Sequence, residues 1–340
     1  MKKALLLLVF LISVSILAAQ INKRIDIPNI DSIRLWMNTD KVPAVGIGVI
    51  ENARVKEVKV IGELRPNIVA DSNSIFNVAS LTKPIAAITI LKLVNSGNWN
   101  LDEPLDAYWI DPDVKDDSLH KKLTTRIILS HKTGFPNWRK GKLVFNFAPG
   151  TSFGYSGEGY EYLRKAVEKK FKMSLEDLSD SLLFKPIGMN NTRYGWSNEL
   201  DTLRYAVPHD KNGALMNIPL QRSSNAADWL VTTIRDYTTF GAYVIRGAEL
   251  SVQLFEDMKK LQRPTDTLKK AMGLGWAIKT GLPNKEYALI HTGHDPGVSS
   301  LIVLLPVSKR GLVLLTNGDN AKELLMQILT TTFSLPELVE

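Results

Sequence analysis

The β-branched runs of this chain lie at its two ends, and that placement restricts the folds open to it. "VPAVGIGVI" (42–50) and "RVKEVKVIGEL" (54–64) are separated by a short polar turn. Near the other end, "YALIHTG", "VSSLIVLLPV" and "GLVLLTN" are separated only by "HDPG" and "SKR", the pattern of an antiparallel meander. Between the ends the pattern is helical. Over 158–171, Tyr160, Leu163, Val167 and Phe171 recur at spacings of three and four. "MSLEDLSDSLLFKPIGM" reads as a second helix, stopped by Pro186 and Gly188, and "AADWLVTTIRDYTTFGAYVIRG" as a third, ended by Gly247. The implied fold is α+β: one antiparallel sheet built from both chain ends, flanked by helices, with a mainly helical insert. Residues 20–70 and 260–340 are expected to form the α/β part and 71–259 the helical part, with the chemistry in the cleft between them.

The first nineteen residues stand apart from that scheme. Lys2 and Lys3 precede an apolar run from Ala4 to Leu17, broken only by Ser13 and Ser15 and followed by "LAAQ". A basic start, a short apolar stretch and small residues make a signal peptide cut after Ala19. The run is shorter than the roughly 20 residues needed to span a bilayer. The expectation is an exported protein, periplasmic or extracellular, with no stable membrane anchor after cleavage. The chain has no cysteine, so its core must hold without disulfides. Its net charge is +7, but "KDDSLHKKL" and "EYLRKAVEKK" show the two signs interspersed, without the basic stripe that a nucleic-acid partner requires. Five scattered histidines supply no metal-ligand spacing, and neither a metal nor a cofactor is expected.

The chemistry is sought first at Ser80 and Lys83. Pro84 is tolerated only in the first turn of a helix, which starts that helix near Ser80 and makes helix capping the simplest role for the serine. Lys83 does not fit so simple a role, because a cation in the first turn opposes the helix dipole. Three residues apart, hydroxyl and amine share one face, and a desolvated amine there can lose its charge and accept the serine proton. A second Ser-x-x-Lys pair, Ser118 and Lys121, lies in a charged stretch and reads as solvated surface. Ser80 is selected because "IAAITILKLV", which follows it, is apolar on most sides.

Five further segments accompany "SLTK" in order: "LSHKTGFP" (129–136), "APGTSFGYSGEGY" (148–160), "LFKPIGMNNT" (183–192), "GLGW" (273–276) and "HTG" (291–293). From about residue 40 to about residue 318 the chain resembles the serine β-lactamase and penicillin-binding-protein superfamily, in the branch holding class C β-lactamases, DD-carboxypeptidases and related esterases. The resemblance implies Ser80 as nucleophile, Lys83 as its proton acceptor or relay and Tyr155 as a proton shuttle to the leaving group. It implies His291, Thr292 and Gly293 on an edge strand along the substrate, and the backbone N–H groups of Ser80 and His294 as the oxyanion hole.

Two positions depart from the family pattern. Gly157 stands where an asparagine commonly holds an acyl-amide carbonyl, so small esters are expected to outrun β-lactams and Gly157→Asn to favour amides. His291 stands where many members have lysine, and an imidazole with an ordinary pKa of about 6.5 is expected to grip a carboxylate only as pH falls. His131 reads as a structural residue, His209 and Asp210 as a turn, and Trp229 and Trp276 as packing. The expected function is that of an exported serine hydrolase acting through an acyl-enzyme on an amide, peptide or ester, small or peptidoglycan-derived. The alternative is a catalytically degenerate protein that binds peptidoglycan-like peptides.

Overall fold

The structure, a computed structural model, describes residues 25–196, 202–217, 223–262, 272–335 and 338. The expected leader, 1–19, lies outside them. Strands β1 (Ala44–Glu51) and β2 (Arg54–Arg65) form a hairpin whose two turn residues, Asn52 and Ala53, both have positive φ (54° and 57°). With β3 (Ile68–Val69), β7 (Ala277–Lys279), β8 (Ala288–Asp295), β9 (Val298–Leu305) and β10 (Arg310–Thr316) they make a seven-stranded antiparallel sheet in the order β3-β2-β1-β10-β9-β8-β7. The two chain ends meet in its middle, where β1 pairs with β10 from Val45↔Thr316 to Ile50↔Gly311.

Alternation along the strands sends side chains to two cores. Val45, Ile47, Val49, Leu301, Val303, Leu312 and Leu314 face helices α1 (Ile30–Asp40) and α8 (Lys322–Phe333), meeting Ile33, Met37, Leu324 and Ile328. Neither helix was anticipated from the sequence. Ile302, Leu304, Val313 and Leu315 face the opposite way, under α6 (Ile234–Ile245). That helix lies as close as a backbone allows, since a Cβ on Gly48 would sit 1.8 Å from Thr238 Oγ1. Although α6 falls within 71–259, it therefore packs on the sheet.

The segment read as one helix from Ala226 to Gly247 divides in two. Leu230–Thr233 is β6, the middle strand of a small sheet between β4 (Ile75–Asn77) and β5 (Arg193–Tyr194). Three successive β-branched residues, Val231, Thr232 and Thr233, favour the extended backbone. Thr233 then caps α6 by accepting from Asp236 N at 3.2 Å. The other helices are α2 (Thr82–Asn95), α3 (Thr125–Leu129), α4 (Gly157–Phe171), α5 (Leu175–Ser179, continued through a wider turn to Ile187) and α7 (Val252–Lys259). In α2, Ile85 to Leu91 are all buried, as the apolar run requires. Among the described residues no helix is long and apolar enough to cross a membrane.

Candidate active site

The turn that bears Ser80 joins β4 to α2 and is braced from every side. Val78 N donates to Leu230 O (3.0 Å), and Ser300 Oγ donates to Val78 O (2.8 Å). Thr82 Oγ1 donates to Ala79 O (2.7 Å) and accepts from Leu230 N (3.0 Å), while Tyr237 OH reaches Leu81 O at 2.6 Å. These bonds hold Ala79 at φ +48°, a left-handed conformation that a non-glycine residue adopts only when its surroundings enforce it. Half-buried Ser80 is not the helix cap. The cap position falls on Leu81, with no side-chain bond, which leaves the Ser80 hydroxyl available.

Lys83 is fully buried, with Nζ 3.0 Å from Ser80 Oγ and donating to Ala227 O at 2.8 Å. Burial lowers its pKa to about 7, against the opposing pull of Asp228, Asp295 and Glu161. A large fraction of the amine is thus uncharged near neutrality. The Tyr155 ring lies 4.7 Å from that nitrogen, with its phenol facing the Ser80 side chain. Burial pushes the phenol well above its ordinary value, so Tyr155 keeps its proton at neutral pH and Lys83 is the group able to accept one.

His131 acquires a definite task. It follows α3 with φ +55°, accepts from Ser156 N through Nδ1 (3.1 Å) and from Gly154 N through its carbonyl (2.9 Å). It thereby brackets Tyr155, on whose ring its own ring stacks at 4.3 Å. Burial, then the Lys83 charge, keeps it neutral. Ser118 and Lys121 are both exposed on a short 3-10 turn. Asp210 opens a turn in which its carboxylate accepts from Asn212 N and Ala214 N, but His209 is not part of it: buried, it pairs with Leu215 and Gly318 as a bridge residue just before the turn.

The strand of the third motif, β8, is internal to the sheet rather than its edge. Its neighbour β7 stops pairing at Ile290, however, so residues 291–295 present an open edge. A Cβ on Gly293 would lie 2.3 Å from Val78 O and 3.1 Å from Ser80 N, so only glycine lets the strand meet the serine turn this closely. The two-residue hairpin closes at Asp295↔Val298. Alternation of hydrogen-bonded pairs then turns the His294 N–H away from β9, toward that open edge. Thr292 and the His294 side chain stand on the opposite pleat from His291 and Gly293, and His294 Nε2 is 3.7 Å from Asp319.

Two expectations are overturned here. His291 is buried, and its Nδ1–H donates to Thr292 O at 2.9 Å. Burial, then the Lys83 charge, lowers its pKa to about 3, so it is a neutral imidazole throughout the physiological range and not a cation that appears near pH 6.5. A side chain on Gly157 has no room: its Cβ would lie 2.8 Å from the Trp138 ring and 2.9 Å from Asn137 O. Trp138, 41% exposed, fills the space where an asparagine amide was expected to fit after Gly157→Asn.

Several residues of the site carried no sequence signal. Ala227, the Lys83 acceptor, and its neighbour Asp228 lie in a loop, with Trp229 at φ +68°. The Asp228 carboxyl faces that of Asp295, and burial raises the pKa of both. Among the described residues no cluster of three or more His, Asp or Glu side chains is placed to hold a metal.

A family model, Beta-lactamase, matches residues 32–328. The chain belongs to the beta-lactamase family. Its fold is that of the β-lactamases and transpeptidases. Penicillin-binding protein 4* of Bacillus subtilis (strain 168) is 24% identical over 291 residues, 74% of this chain and 62% of that protein. The chain thus spans about three-fifths of that relative's length. The octameric penicillin-binding protein homologue from Pyrococcus abyssi superposes with a TM-score of 0.76 at 23% identity, covering 90% of this chain and 78% of that one. A class C beta-lactamase superposes with a TM-score of 0.75 at 18% identity, covering 89% and 94%.

Proposed function

We propose that the protein is an exported serine hydrolase that acts through a covalent acyl-enzyme and favours small neutral esters or amides over substrates anchored by a carboxylate. The observation that carries this reading is the buried Lys83 amine 3.0 Å from Ser80 Oγ. The neutral amine takes the serine proton as Oγ attacks the substrate carbonyl carbon and the C=O electron pair moves onto oxygen. The backbone N–H groups of Ser80 and His294 hold that oxyanion. As the intermediate collapses, the bond to the leaving group breaks. Tyr155 gives that group its phenolic proton and is reprotonated by the Lys83 ammonium. Water then attacks the acyl-enzyme by the same route and frees Ser80.

Two features support the preference for neutral substrates. His291 supplies no fixed cation, and Trp138 occupies the place of an amide donor beside residue 157. Export is supported by the basic and apolar layout of residues 2–19, and an envelope-derived or nutrient substrate fits that destination. The test is a hydrolysis panel of short activated esters, peptides ending in a free carboxylate, penicillins and cephalosporins, run on the wild type and on Ser80→Ala. Esters should be cleaved fastest, and every activity should vanish with Ser80. Rapid destruction of cephalosporins by the wild type would overturn the preference.

A further inference from the structure

We propose that Asp228 and Asp295 share one proton and act as a clasp that positions Ser80, tying together the three chain segments that carry the nucleophile, the Lys83 acceptor and the oxyanion-hole strand. Its kinetic readout rests on the serine-hydrolase reading above.

Each arm of the clasp can be traced. Asp295 directly follows His294 on β8 and faces the Asn77 side chain, which favours its charged form. Asn77 Oδ1 accepts from Ala79 N at 2.8 Å, so its amide N–H is the group turned to Asp295. Asn77 thus locks the left-handed Ala79 immediately before Ser80. The other arm, Asp228, directly follows Ala227, whose carbonyl accepts from Lys83. Asp228 Oδ1 accepts from Trp229 N at 2.7 Å, and Glu161 on α4 accepts from Ala226 N at 2.7 Å, which fixes this loop from both sides.

The shared proton follows from the facing of two desolvated carboxyls, Asp228 being buried and Asp295 having a buried Oδ2. Ionised carboxylates only accept and repel each other, so the two stay together when one keeps its proton. Asp295 Oδ2 is buried and finds no N–H or O–H donor among the described residues, which leaves that proton as its means of satisfaction. Burial and the Asp228 charge raise the Asp295 pKa to about 8, in the same direction. The groups facing the pair are Lys83 from α2, Tyr155 from the loop before α4 and Tyr205 from the segment beside β4. Glu161 acts on it through Lys83, and His291 on its own strand is neutral. Lys83 is the one cation among these groups, and it loses its charge near 7, so nothing opposes the repulsion once the shared proton leaves.

The experiment follows two signals on the full protein. The first is the rate at which a fluorophosphonate adds to Ser80, measured against pH and normalised to each protein's own maximum. In the wild type the rate should rise through about pH 7 and fall above about pH 8, to about a tenth of its plateau at about pH 9. In Asp295→Asn the amide still donates to Asp228 but cannot ionise, so the alkaline fall should disappear while the acidic rise stays in place. Asp295→Ala should lose labelling at every pH. The second signal is the carboxylic-acid C=O stretch in difference infrared spectra, which should be present at neutral pH, vanish above about pH 8 and be absent from Asp295→Asn. If that variant does not fold, Asp228→Asn is the mirror test. An alkaline limb identical in Asn variant and wild type, or no acid band in the wild type at neutral pH, would overturn the clasp. A wild type that never labels would refute the hydrolase reading instead, and the infrared titration would still decide whether the proton is shared.

Discussion

Replacing Lys83 with methionine should make the protein more stable and inactive at once. The side chain is fully buried, and folding shifts its pKa from 10.5 to about 7. Each pH unit of that shift is worth about 1.4 kcal/mol, so holding the amine against its preferred charge costs the fold about 5 kcal/mol, nearly all of it at pH 7. Methionine has similar length and no charge to desolvate, but it leaves Ala227 O without its donor, a loss of about 1–3 kcal/mol. The net expectation at pH 7 is a gain of about 1–4 kcal/mol, read from urea unfolding curves. Because the folded pKa is depressed, wild-type stability should climb between about pH 7 and 10.5 as the unfolded chain gives up its own proton. The advantage of Lys83→Met should shrink over that window by about 1.4 kcal/mol per unit. Asp295, whose folded pKa of about 8 lies above its ordinary 3.8, pulls the other way only below about pH 8, so the slope above that pH isolates the lysine. A variant less stable than wild type at pH 7, or a difference that does not change with pH, would refute the reasoning.

Three further outcomes follow from the geometry. Gly157→Asn should destabilise by about 1–3 kcal/mol in thermal or urea melts without raising the amide-to-ester rate ratio, and adding Trp138→Ala should restore part of the loss. With a pKa of about 3, His291 should leave KM for a carboxylate-terminated peptide flat between about pH 5 and 8, and imidazole NMR should show no titration in that range; a step near pH 6.5 would restore the carboxylate role. Gly293→Ala should lower kcat/KM for esters by about 10²-fold or more, because its Cβ would push β8 off Val78 O and displace the His294 N–H; near-normal activity would remove β8 from the site.

The strands were legible because β-branched runs, tight turns and alternation are local signals. The meander at 288–316 and the hairpin at 44–65 fall where those patterns place them. What the pattern did not reveal was mostly tertiary. Helices α1 and α8 are short and amphipathic and acquire their meaning only against the far face of the sheet. Leu230–Thr233 was absorbed into the helix that follows it, because periodicity cannot mark where a strand hands over to a helix. At the site, Ser80, Lys83, Tyr155 and Gly293 are brought together, and their spacing and motif context had pointed to them. Asp228 and Asp295 lie 67 positions apart in sequence and meet only because β8 and the loop before β6 both converge on the serine turn. The behaviour of His291 and Gly157 depended on burial and on Trp138, neither of which a motif encodes.

The central claim is that Lys83 activates Ser80 for acylation, and covalent labelling tests it most directly. The full protein is incubated with a fluorophosphonate at about pH 7.5, digested, and the adduct located by peptide mass spectrometry. The account predicts one adduct, on Ser80, lost in Ser80→Ala and in Lys83→Met and retained in Ser118→Ala. An adduct that survives Ser80→Ala, or labelling of Ser80 at the wild-type rate without the lysine, would contradict it.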